Sequence, residues 1–348
     1  MNIRLMTLTA LGLASGALAY ALLRPQVTAP PPAASTIREI SYASLGGATD
    51  AGIYLADAYG FFKEAGFSIN ARILTSIPSQ VAEAATNAVD VSGIALAPGL
   101  FASVQRNINL RLVGDKQSLR PGFSSTRLIA RADLFGADEA ETMRNLRGRK
   151  IAGPGRTSIG YYLVAALFRK HGMGLDDMEY VELPLPDMAA AMASGAVDGA
   201  LLIDPFLSRA VQSGIGRVVS DLVEFVPPGG SIAPLIYSEK FAAERDVAVR
   251  FMTAYMRGVR VYNDAMGKGV DRDKVIEIVA KGANVPVPVV ANGFPTGLDP
   301  DQKLDKDFIA NVQSFYVEQK LVEKAADIDR MVDTSFADAA RKQLGVYK

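Results

Sequence analysis

The chain has 348 residues, about right for two lobes that each bury a core. Its 37 basic residues balance 37 acidic ones, so no net field would hold it on nucleic acid or an anionic membrane surface. With no cysteine, no tryptophan and one histidine, His171, it lacks the means for disulfide frameworks, thiolate nucleophiles and Cys/His zinc sites.

Residues 1–24 are expected to be an export segment or a membrane anchor. Arg4 gives a short basic start, Leu5 to Leu18 an apolar core, and Ala17, Leu18 and Ala19 a small-x-small cleavage signal. The apolar stretch continues from Tyr20 to Leu23 and nearly reaches bilayer-spanning length, so an uncleaved anchor is the alternative. Residues 25–36, with Pro25 and the run Pro30, Pro31 and Pro32, cannot form helix or sheet interior and are expected to be an extended tether. Export to a periplasm follows from this reading.

From Ile37 onward strands and helices alternate. Ile37 to Leu45 has strand alternation, and Thr49 or Asp50 can cap a helix ending near Gly66. Phe67 to Leu74 is the next strand, Pro78 to Ala88 a helix, and Val91 to Leu96 a short apolar strand. The stretch from Gly52 to Asp90 then recurs, ungapped, from Gly160 to Asp198, an offset of 108 residues. Gly52 matches Gly160, Tyr54 matches Tyr162, Pro78 matches Pro186, and Ala88, Val89 and Asp90 match Ala196, Val197 and Asp198. The second copy predicts strands from Lys150, over Met178 to Leu183 and over Gly199 to Ile203, with helices over Ser158 to Lys170 and Pro186 to Ser194. Two such units imply parallel βαβ architecture, an α/β fold, and a cleft at the carboxyl ends of the strands. Beyond Ser238 a helical region with an apolar face through Phe251, Tyr255, Val259 and Tyr262 is expected to pack back on the first lobe.

Tyr54 to Gly66 (YLADAYGFFKEAG), Ala88 to Gly93 (AVDVSG), Leu146 to Ala152 (LRGRKIA) and Ala193 to Phe206 (ASGAVDGALLIDPF) resemble the solute-binding proteins of nitrate, sulfonate and taurine type ABC importers. That superfamily also holds proteins binding thiamine-precursor pyrimidines. The resemblance implies the type II periplasmic binding-protein fold, two α/β lobes with a ligand cleft between them. Residues 37–118 with 232–348 would form lobe one and 125–226 lobe two, with hinges near 119–125 and 227–231. It also implies an ABC permease and ATPase as partners; the chain itself is expected to be a monomer that takes a small-molecule ligand, with no cofactor, metal or nucleic acid. The alternatives are a sensor or adaptor for a membrane receptor, or a pyrimidine- or menaquinone-pathway enzyme of the same fold.

The cleft loops are expected to open helices, where free backbone N–H groups favour an anionic or strongly polar ligand group. The candidate ligand residues are Gly47, Thr49, Asp50, Ser76, Ile77, Pro98, Arg156, Thr157, Ser158, Asp187, Asp204 and Phe206. Arg156 is either a bidentate anchor for a carboxylate or sulfonate, flanked by the hydroxyls of Thr157 and Ser158, or a surface arginine beside a cap. Asp204, Asp50 and Asp187 are helix caps that can also accept from a ligand N–H. Phe206 is a candidate wall residue, whereas Tyr54 and Tyr162 are expected in the core and His171 at a helix C-terminus. These features point to a small organic anion or zwitterion of sulfonate, carboxylate or heteroaromatic type, held without catalysis.

Overall fold

The structure, a computed structural model, describes residues 37–74, 76–106 and 108–348. The export segment, anchor and tether expected at 1–36 lie outside the described residues. Among the described residues no helix is long and apolar enough to cross a membrane.

Two five-stranded sheets carry the fold. The first contains β1 (Arg38–Ser44), β2 (Phe67–Ile73), β3 (Val91–Gly93), β4 (Arg111–Ser118) and β10 (Ser231–Tyr237), ordered β2-β1-β3-β10-β4. The second contains β5 (Thr126–Ala130), β6 (Arg149–Gly153), β7 (Met178–Glu182), β8 (Gly199–Ile203) and β9 (Arg217–Ser220), ordered β7-β6-β8-β5-β9. The orders correspond strand for strand. Neither sheet is all-parallel, which corrects the expectation of simple βαβ units. β10 runs antiparallel to β3 and β4, and β5 runs antiparallel to β8 and β9. The cause lies in the two crossings. The chain leaves the first sheet after Ser118 and returns at Ser231, and the strand entering each sheet beside a crossing meets its neighbours head to tail.

The internal repeat survives as geometry. The helices Ile77–Ala85 and Leu185–Ala193 begin 108 residues apart, and so do β3 and β8. The recurring aspartates do the same work in each copy. Asp90 accepts from the backbone N–H of Ser41 on β1 at 2.9 Å, and Asp198 from that of Lys150 on β6 at 3.0 Å. Each pins the start of the central strand of its sheet, β3 or β8, to the parallel neighbour beside it. The recurring glycines serve packing. A Cβ on Gly160 would lie 2.3 Å from Leu201 Cδ2, and one on Gly52 would lie 2.6 Å from the Tyr255 ring.

The first helix is shorter than its sequence suggests. It spans Ala51–Ala58, the chain turns at Gly60 with φ +75°, and Phe61–Glu64 forms a separate turn of helix. The left-handed residue interrupts the apolar run without exposing it, because Phe62 remains in the core on Phe251 at 5.1 Å between ring centroids.

The C-terminal region divides. The helix Arg245–Lys268 packs on Ala51–Ala58, as expected for lobe one. The helix Lys306–Glu318 instead also reaches Ile159–Lys170 of the second sheet's lobe, where Phe315 meets both Tyr161 and Tyr162 at 5.5 Å between ring centroids. Its amphipathic face carries aromatic residues on more than one side, so it serves two lobes at once. Tyr162 is thereby committed to packing. Tyr54 is likewise sandwiched, with Gly282 against its ring.

Candidate ligand-binding site

A cavity of about 360 Å3 opens between the carboxyl ends of the two sheets. The loop after β1, the ends of β3 and β4, the loop after β8 and the segment 283–296 form its walls. In the β1 loop, Gly46 and Gly47 take φ +80° and +91°, a turn that only glycine makes without strain. The turn brings Thr49 to the cavity and tucks Asp50 beneath it, 1 % exposed.

Asp50 anchors a buried polar cluster. Its carboxylate accepts from Tyr42 Oη at 2.6 Å and from the Ser44 hydroxyl, and it lies 3.1 Å from the Lys116 ammonium. Lys116, from β4, also donates to Thr49 Oγ1 at 2.7 Å. Burial and the nearby carboxylate push the Tyr42 hydroxyl well above its usual range. A buried ammonium is tolerated here because the carboxylate compensates it at hydrogen-bond range.

Of the buried polar atoms without a protein partner among the described residues, four belong to residues of this cavity. Gln80, fully buried, donates from Nε2 to the carbonyl of Gly93 at 2.8 Å, which leaves its Oε1 unmatched. Gln117 Nε2, Ser125 Oγ and Thr296 Oγ1 are also buried without partners. All four residues line the cavity. Unmatched buried polar atoms are costly, so their gathering around one cavity makes it the candidate ligand site.

Asp204 closes the opposite side. Its Oδ1 accepts from the Ser208 N–H at 2.8 Å and the Ser208 hydroxyl at 2.6 Å, while Oδ2 accepts from the N–H of Phe294. Burial raises its carboxyl above the ordinary value, and those hydrogen bonds oppose the rise. Phe294 lies 4.0 Å beneath the Arg127 guanidinium. Phe206, Met266, Val285, Val289 and Val290 make the remaining surface largely apolar.

Four of the sequence candidates line this cavity: Gly47, Thr49, Asp204 and Phe206. Asp50 stands one layer behind. It holds the N-cap position of the helix Ala51–Ala58 but makes no side-chain capping bond, because its carboxylate is spent on Tyr42, Ser44 and Lys116. Asp204 reaches the helix Phe206–Gln212 from one residue further out than a cap, since Pro205 takes the N-cap position. The remaining candidates lie away from the lining. Ser76 caps Ile77–Ala85 by accepting from the Ser79 N–H at 3.3 Å, Ile77 packs on the core, and Pro98 is buried as the first residue of Pro98–Gln105. Asp187 sits exposed in the first turn of Leu185–Ala193.

The expectation of Arg156 in a cleft with Thr157 and Ser158 meets a different arrangement. Glu182 accepts from the Arg156 N–H at 3.1 Å, so a carboxylate of the protein itself occupies this turn. The Arg156 guanidinium donates to Tyr161 Oη at 2.9 Å and lies over that ring, while Thr157 is exposed and the Ser158 hydroxyl bonds Gly155 O at 2.7 Å. His171 ends the helix Ile159–Lys170, with Nε2 3.0 Å from Glu139 Oε1.

Sequence reasoning missed Lys116, Gln80, Gln117, Ser125 and Thr296. A signal existed for Lys116: Asp115 and Lys116 interrupt a strand that is otherwise apolar through Leu112 and Val113, an unusual place for charge.

Two α/β lobes of matching strand order, linked by two crossings and sharing a cavity at their strand ends, define the architecture of the periplasmic binding proteins. The periplasmic aliphatic sulphonate binding protein SsuA from Escherichia coli superposes with a TM-score of 0.68 at 20% identity, covering 85% of this chain and 92% of that one. The desulfurization enzyme DSZB shares the fold too, with a TM-score of 0.58 at 19% identity over 88% of this chain and 99% of its own. In sequence, the putative aliphatic sulfonates-binding protein of Escherichia coli (strain K12) is 28% identical over 198 residues, 55% of this chain. The matched stretch spans 59% of that relative's length. Residues 48–265 match the family described as NMT1/THI5 like, and the chain belongs to that family.

Proposed function

We propose that the chain is the substrate-binding component of an ABC importer, exported to a periplasm, which closes two lobes around a small organic molecule and releases it unchanged to a permease powered by an ATPase. The single observation that carries this reading is the shared cavity, lined from one side by the β1 loop and β4 and from the other by the end of β8. A ligand touching both walls favours the closed arrangement by its differential contacts.

Residues 37–118 with 232–348 act as one lobe and 125–226 as the other, bending near 119–125 and 227–231. Gly229, Gly230 and their preceding prolines supply the backbone freedom and the stops that a hinge uses. The Ser124 hydroxyl supports the pairing of the two crossings, since it lies 2.8 Å from Asp221 O on the returning segment. The enzyme DSZB shows that this fold alone does not separate binding from conversion. Binding is favoured because the sequence has no cysteine and its one histidine sits at a helix end beside Glu139, away from the cavity lining.

The test is a thermal-shift screen of small organic solutes followed by solution scattering with each hit. A solute that stabilises the protein, reduces its radius of gyration and is recovered unaltered supports the reading. Recovery of a converted product would overturn it in favour of an enzyme.

A further inference from the structure

We infer that the ligand is an uncharged molecule carrying both a hydrogen-bond donor and an acceptor on an apolar body, of amide or lactam type, and not an oxyanion. This rests on the binding-protein reading and narrows it.

The decisive atom is Gln80 Oε1. The side chain is fully buried, and its Nε2 is tied to Gly93 O at 2.8 Å, so the amide is oriented and presents its carbonyl oxygen as the unmatched atom. A carbonyl oxygen only accepts, and so do the oxygens of a sulfonate, nitrate or ionised carboxylate. An oxyanion at this position would set lone pairs against lone pairs, whereas an N–H or O–H of the ligand completes the bond. Gln117 Nε2 is the converse, a donor without an acceptor. The hydroxyls of Ser125 and Thr296, 4 % and 2 % exposed, can turn to serve either role.

Charge points the same way. Lys116 is the basic side chain of the lining, and its ammonium is already compensated by Asp50 at 3.1 Å. Across the cavity stands Asp204, a second carboxylate. Asp204 in turn faces the charge of the Arg127 guanidinium, which lies over Phe294. The charges around the cavity are thus already matched in pairs, and neither an entering anion nor an entering cation finds an unpaired opposite charge. A neutral group carrying both a donor and an acceptor satisfies the unmatched atoms at no charge cost. The rest of such a molecule finds Val285, Val289, Val290, Met266, Phe206 and Phe294.

Four probes of one shape separate the possibilities: benzamide, benzoate, benzenesulfonate and benzamidine, titrated by calorimetry into the full chain at low and high salt. Benzamide is expected to bind about tenfold or more tighter than any charged probe, with little salt dependence. Gln117→Met, which removes a donor that has no partner in the protein, is expected to weaken benzamide several-fold while leaving the melting temperature near that of the parent. A charged probe that binds as tightly as benzamide, or benzamide binding untouched by Gln117→Met, would overturn the ligand class and leave the binding reading standing. Failure of all four probes at millimolar concentration would likewise overturn the ligand class and leave the binding reading to the open solute screen.

Discussion

Asp204 at the end of β8 accepts the backbone N–H of Phe294, so a carboxylate of the second lobe holds a segment whose preceding helices pack on the first. The helix Arg272–Gly282 lies on Ala51–Ala58, the turn Val287–Ala291 lies on that helix, and Phe294 then packs against the second lobe's apolar cluster, which includes Leu207 and Ile129. This strap ties the lobes next to the cavity, in addition to the two crossings and the helix Lys306–Glu318. Asp204→Ala removes the acceptor for Phe294 and for Ser208 at the start of Phe206–Gln212. It should cost about 1–2 kcal/mol in urea denaturation. Exchange of the Phe294 amide should rise well above the change seen at core amides.

Lys116 and Asp50 are a buried pair, 6 % and 1 % exposed in their side chains. Removing one partner strands the other charge, so Lys116→Met should destabilise by about 3–5 kcal/mol. Asp50→Asn combined with Lys116→Met should recover much of that loss, because no charge remains uncompensated. A thermal denaturation cycle of the two singles and the double checks the coupling.

The repeat was the most legible feature, and it was legible because Gly52 and Gly160, or Asp90 and Asp198, hold local jobs that each copy needs in the same register. The antiparallel strands β5 and β10 were not, since strand direction depends on which sheet the chain has just left, and no local pattern encodes that. The site was half legible. Gly47, Thr49, Asp204 and Phe206 follow from the rule that ligands lie beyond strand ends. The rule also nominated Arg156, which the structure places away from this cavity, in a turn where Glu182, distant in sequence, accepts its N–H. Gln80 and Thr296 stayed hidden for a related reason. Their significance lies in hydrogen bonds left unmade, which only the assembled cavity reveals.

The helices Ala51–Ala58 and Arg245–Lys268 approach so closely that a Cβ on Gly258 would lie 2.3 Å from the carbonyl oxygen of Gly52. That oxygen belongs to backbone and cannot swing aside. Gly258→Ala is therefore expected to cost about 1–3 kcal/mol despite the better helix propensity of alanine. Gly99, in the helix Pro98–Gln105, has nothing within 4 Å of its would-be Cβ. Gly99→Ala should leave stability unchanged or raise it by about 0.4–1 kcal/mol. Urea midpoints of the two variants measured side by side distinguish packing from propensity.

Asp115 joins β4 to the returning strand: its carboxyl accepts from Ser231 Oγ at 2.6 Å, from Ser118 Oγ at 2.9 Å and from the Asp299 N–H at 2.7 Å. Burial pushes its pKa from 3.8 up to about 7, and the three hydrogen bonds hold the rise in check. The folded state thus keeps a proton that the unfolded state gives up near pH 4. A group raised on folding contributes stability that is whole below its unfolded pKa and fades as pH climbs through its folded value. Between about pH 4 and pH 7 this residue should therefore make the protein progressively less stable as pH rises, with the slope flattening above that range. Asp115→Asn keeps the shape and removes the titration. The difference in melting temperature between parent and variant should accordingly shift in the variant's favour from pH 4 to pH 8, and a difference that is flat across that range would mean Asp115 does not hold its proton in the folded protein.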